Sequence, residues 1–103
     1  MKANRLKLHE ELCTVLGSRN VYFQPGPNIK MSYPCIIYRR GDIEPIYANN
    51  LTYINRERYT LLAVSGDPDN EIADNLLSHF HLITYTNRYV SDNLYHDALE
   101  IYY

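Results

Sequence analysis

From Leu94 to Tyr103 the chain reads LYHDALEIYY, a run whose side chains fall into two alternating sets if it is a strand. One set is Leu94, His96, Ala98, Glu100 and Tyr102. The other is Tyr95, Asp97, Leu99, Ile101 and Tyr103, and its apolar end assigns it to a core while the first set stays partly exposed. Ser91-Asp92-Asn93 just before it is a turn signal. This run commits the chain to a sheet. If the strand lies at the sheet's edge, it needs cover, and a neighbouring subunit would provide it.

The other segments fit around that strand. Residues 4–17 predict a helix, with Leu8, Leu12, Val15 and Leu16 on one stripe and Gly17 as its stop. Val21-Tyr22-Phe23 is a short extended piece, followed by the rigid loop QPGPN. YPCIIYRR (33–40) is a clear strand, with Pro34 at its start where a missing N–H is tolerated. Residues 41–56 read as a long hairpin arm, part of it kept at an edge by Pro45. ERYTLLAVS (57–65) is apolar on both faces, as in a strand covered on both sides. In 65–80, Asp67 is a candidate N-cap, Pro68 takes the first helical position, and Ile72, Leu76 and Phe80 with Ala73 and Leu77 form the buried face. HLITYTNRYV (81–90) is a further strand. The expected fold is one α+β domain over 1–103: an antiparallel β-sheet, two helices packed on it, and the β-hairpin arm.

Composition removes several function classes. With 46% hydrophobic and 21% charged residues, the chain lacks the signature of disorder. Its net charge of −2 does not suggest a nucleic-acid or acidic-membrane binder, no apolar run reaches membrane-span length, and the charged N-terminus does not resemble a secretory signal. Cys13 and Cys35 belong to no CxxC and read as small buried hydrophobes. Tyrosine is over-represented, 11 residues against two Phe and no Trp; it suits half-buried strands and also interfaces.

No catalytic pattern emerges. His79 and His81 form an HxH across a helix–strand junction, without a third metal ligand nearby. His96 and Asp97 are adjacent and face opposite sides of a strand, so the acid cannot orient the imidazole. Asp67, Asp69, Asn70 and Glu71 lack the glycine and the terminal Glu spacing of a calcium loop. The four glycines do not cluster into a phosphate cradle. Arg39, Arg40, Arg56 and Arg58 stand among Asp42, Glu44 and Glu57, which favours solvated ion pairs over a nucleic-acid stripe. Neither a cofactor nor a metal is expected, and the chain does not read as an enzyme.

Three segments carry a resemblance: NVYFQPGPNIKMSYPCIIYRRGDIEPIYANN, YTLLAVSGDPDNEIADNLL and RYVSDNLYHDALEIYY. Together, over about 80 residues, they resemble a family of small proteins encoded among the head–tail genes of long, non-contractile-tailed bacteriophages, described as tail terminator, tail completion or head–tail joining proteins. The most specific parts are YPCIIY, DPDNEI and the pattern from Arg88 to His96. The resemblance implies an α+β fold, assembly as a ring of commonly six copies at the head-proximal end of the tail tube, and a place in the virion neck. It implies as partners further copies of the chain, the tail tube protein and the head connector or head-closure protein, with DNA only as passing cargo and no membrane contact. A slightly acidic protein suits a lumen that must not grip DNA phosphates.

On that reading the arm residues Asp42, Tyr47, Asn49, Asn50, Tyr53 and Arg56, beside Arg39 and Arg40, are candidate contacts to a neighbour or the tube. A bland surface hairpin is the competing reading. Arg88, Asp92, Asn93 and His96 form a second candidate contact, or simply a tight turn held by its own side chains. Rival functions are a head-closure or adaptor protein of the same neck, a His-dependent hydrolase with His79, His81 and His96 in one pocket, and a small binder of a host protein.

Overall fold

A computed structural model describes residues 2–41, 47–48, 51–52 and 57–103 of the chain. The elements are α1 (Lys2–Leu16), β1 (Val21–Phe23), β2 (Cys35–Arg40), β3 (Tyr47–Ala48), β4 (Leu51–Thr52), β5 (Arg58–Ser65), α2 (Ile72–His79), β6 (Ile83–Ser91) and β7 (Leu94–Tyr102). The fold is α+β: two helices with a five-stranded mixed sheet in the order β1-β2-β5-β7-β6. β3 and β4 form a separate antiparallel pair, Tyr47 opposite Thr52 and Ala48 opposite Leu51.

One expectation about the sheet is corrected. It is not purely antiparallel, because β1 runs parallel to β2, with Val21 opposite Ile36 and Phe23 opposite Tyr38. The connection over residues 24–34 makes this possible: fully extended it reaches about 35 Å, several times the length of a three-residue strand, so the chain can return to its starting end before pairing. Whether the last strand lies at an edge, left open by the sequence, is decided by the strand order. β7 lies between β5 and β6 and is paired on both sides, so the long edge belongs to β6.

Alternation along β7 is as expected: Asp97, Leu99 and Ile101 are buried and their neighbours half-buried. Opposite them in β5 stand Ala63, Leu61 and Tyr59, and in β2 Ile36 and Tyr38 continue the same face. The helices cover this face. Leu8 and Leu12 of α1 and Leu76 of α2 are fully buried against it, each contributing about 2 kcal/mol by removal of apolar surface from water. Gly17 ends α1 at φ +82°, its N–H donating to Cys13 O at 2.9 Å. Tyr38 is fully buried, and its hydroxyl is met by Arg5 Nη1 at 3.2 Å and His9 Nδ1 at 2.8 Å. Part of the tyrosine excess is therefore core filling with a satisfied polar tip.

α2 begins later than its capping signals suggest. The Asp67 carboxylate accepts the Asp69 N–H at 2.9 Å, closing a local turn instead of capping a helix. Asn70 Oδ1 then takes the Ile72 N–H at 3.2 Å, one turn further on. Pro68 thus lies in the turn, not in the helix. Ala73, Leu76 and Phe80 are buried as expected, whereas Leu77 is 37% exposed and falls off the packed face.

Candidate functional site

The chemistry-bearing side chains gather around β6 and the turn that joins it to β7. Asp97 is the only carboxylate buried among the described residues, with a side-chain exposure of 1%. Its Oδ1 accepts from the Tyr85 hydroxyl at 2.7 Å and Arg88 Nε at 2.8 Å, and its Oδ2 from Arg88 Nη2 at 3.1 Å. Arg88 Nη1 also donates to Pro68 O at 3.1 Å, tying β6 to the loop before α2. Burial alone pushes the Asp97 carboxyl up. The hydrogen bonds from Arg88 and Tyr85, with the guanidinium charge, more than reverse that and hold it below the usual carboxylate range.

A bulge makes this cluster possible. Tyr85 and Arg88 are three apart and would point to opposite faces of a regular strand. The register shifts between Tyr85, opposite Leu99, and Asn87, opposite Ala98, so Arg88 comes to stand opposite Asp97 on the same face as Tyr85. Sequence alternation placed Asp97 on the core face, but a one-residue insertion such as Thr86 leaves no mark in composition, so its two partners were not legible.

Arg88 and His96 are consequently separated. His96 stands opposite Tyr89 on the other face of the sheet, the rings stacked at 4.8 Å and 8°, with His96 Nδ1 at 3.0 Å from Leu94 O. Asp92 and Asn93 occupy φ +53° and +63°, the two left-handed positions of a two-residue hairpin turn. The second candidate group therefore divides into an internal ion pair, a turn and an aromatic stack. Arg39 is exposed at the end of β2. Arg40 pairs with Glu57 at 3.2 Å, and its N–H donates to Gln24 Oε1 at 3.2 Å. Asp42, Asn49, Asn50, Tyr53 and Arg56 lie outside the described residues, and Tyr47 is described only as part of the β3 backbone.

The histidines do not form one pocket. His79 ends α2 on the helical side and pairs with Glu11 at 3.1 Å, while His96 sits on the opposite face of the sheet. His9 binds Tyr38 within the core, and burial, with Arg19 nearby, lowers its basicity. An open groove of about 340 Å³ between the helices is lined by Thr14, Val15, Asn75, Ser78 and His79. Among the described residues no group of three or more His, Cys, Asp or Glu is placed to hold a metal ion, and no helix is long and apolar enough to cross a membrane. Cys13 and Cys35 are buried thiols, and burial pushes Cys35 up to about 11.

What remains exposed is the strand itself. After Ile83 every residue of β6 is exposed, and among the described residues one side of the strand has no partner in the sheet. Tyr85, Tyr89 and Val90 are among the most exposed large apolar side chains, Val90 at 61%. The arrangement suits recognition through backbone and apolar contact. No family model, no curated protein and no solved structure matches the chain.

Proposed function

We propose that this chain is a structural protein of the neck of a long-tailed bacteriophage, a tail terminator with a tail-terminator-like fold. Copies of it form a ring, of six by the family resemblance, on the head-proximal end of the tail tube. The ring occupies the growing end, offers no copy of the tube's docking surface, and presents its far side to the head connector. Its action is steric and interfacial, with no cofactor and no chemical step, and DNA passes through the lumen as cargo.

The observation that carries this reading, beside the resemblance, is where the polar chemistry goes. Arg88, Tyr85 and Asp97 are spent on one another, His79 and His96 stand on opposite faces, and among the described residues a nine-residue strand, paired only with β7, leaves its other edge open. That is the profile of an assembling subunit rather than of a hydrolase with a convergent pocket.

Deleting the gene from its parent phage and imaging lysates by negative-stain electron microscopy tests it. Overlong tubes beside filled, tailless heads are expected. Normal-length free tails beside emptied heads would assign the protein to head closure instead. Intact infectious virions would remove it from the neck and return attention to a host-protein binder.

A further inference from the structure

Among the described residues the five-stranded sheet has two unpaired edges, and they are unlike each other. β6 offers nine residues and β1 offers three. A long, uncovered edge is a template for another strand, and proteins usually blunt such edges with charge, proline or cover. β6 carries no proline and one charged residue, Arg88, and that charge is drawn back into the fold by the Asp97 carboxylate. β1, Val21-Tyr22-Phe23, carries no charge at all. Neither strand therefore brings an uncompensated charge of its own to such a contact.

Strand direction favours the same match. β7 is antiparallel to both β5 and β6, β2 is antiparallel to β5, and β1 is parallel to β2. β6 and β1 thus run in opposite directions, so a second copy placed in line with the first presents its β1 antiparallel to β6. α2 turns Asn75, Ser78 and His79 toward α1, which leaves Leu77 on the flank nearer β6. Tyr85 and Val90 share the helix-side face of β6 and are 41% and 61% exposed, so with Leu77 at 37% they make up an apolar ledge along the strand. Beside β1, Arg5 of α1 lies over Phe23, and the next residue, Leu6, is 46% exposed.

We propose that β6 and its ledge bind the β1 edge of a second copy of this chain, head to tail, extending the sheet from subunit to subunit. A contact between two different patches builds rings or open chains instead of closed two-fold dimers. It names the subunit contact that the ring reading needs. It is nonetheless read in solution, so its failure leaves the gene-deletion result standing, and the reverse also holds.

The test uses the full chain and two surface variants, Val90→Lys on the β6 edge and Leu6→Lys on α1, next in the chain to the Arg5 that covers Phe23 of β1, each first shown to melt like the parent. Sedimentation velocity should show the parent associating as concentration rises, and each variant weakened at least about tenfold in dissociation constant. Mixed in equal amounts, the variants should form a dimer and stop there, because one keeps an intact β1 edge and the other an intact β6 edge. A parent that stays monomeric at about 1 mM, where even a millimolar contact is half-formed, overturns the proposal. So does a Val90→Lys chain that associates like the parent, or a mixture that gives no dimer. Dimers of Leu6→Lys alone would replace β1 by a second β6 as the occupant.

Discussion

Substituting Asp97 by Asn probes a buried charge that joins β6, β7 and the loop before α2. In the parent, three donor contacts converge on two carboxylate oxygens at 2.7, 2.8 and 3.1 Å. The amide has one oxygen, and its NH₂ must face a group that also donates. One charge-assisted hydrogen bond is lost, worth about 1.5–3 kcal/mol, and the others weaken toward the value of neutral pairs. Against this, the amide has no charge to desolvate, which offsets part of the loss. The expected net cost at pH 7 is about 2 kcal/mol, or a fall in Tm of about 10 °C for a domain of this size. The pH dependence supplies the second check. The folded carboxyl titrates below its ordinary value of 3.8, so its contribution is complete well above that pH and is lost as pH falls through the folded value. Thermal melts of parent and Asp97→Asn by circular dichroism should differ fully at pH 7 and at pH 5.5, and the gap should narrow as pH falls below the ordinary value of 3.8 and close below the lower folded value. Equal Tm values at pH 7, or a gap that persists unchanged into acid, would refute the reasoning.

Three further outcomes follow from the same coordinates. Cys35, fully buried with its thiol pushed up to about 11, and Cys13 beside the core should react with a disulfide reagent at pH 8 only on unfolding, so the labelling rate in urea tracks the unfolding transition. In the β6–β7 turn, Asn93→Gly should hold or raise stability while Asn93→Ala costs about 1 kcal/mol, because residue 93 sits at φ +63°; urea titrations of both variants check the sign. Burial and then Arg19 keep His9 less basic than usual, so its contribution is present above its unfolded value of 6.5 and is lost as pH falls through the lower folded value. A His9→Gln chain should show a flatter stability profile between pH 7 and 5 than the parent, read by urea midpoints across that range.

Much of the architecture was legible because periodicity reports burial directly. The stripe of Leu8 and Leu12, the alternation of Asp97, Leu99 and Ile101, and the apolar run through Leu61, Ala63 and Val64 each sit where a core demands them. Local chemistry also declared the Asp92-Asn93 turn and the stop at Gly17. The sequence even separated His96 from Asp97, since adjacent strand residues must face apart.

The tertiary structure decided what periodicity does not encode. Which strands become neighbours is set by how loops return: residues 24–34 are long enough to bring β2 back parallel to β1, and β7 is paired on both sides only because β6 folds back on it. At Asp67 the carboxylate closes a local turn with the Asp69 N–H, and α2 starts only at Ile72. The partners of Asp97 depend on a single inserted residue in β6, and the edge left open depends on strand order. Local pattern fixes which face of an element is apolar. Only the assembled sheet, where each backbone edge is either paired or left to find a partner, decides which surface this protein has to offer.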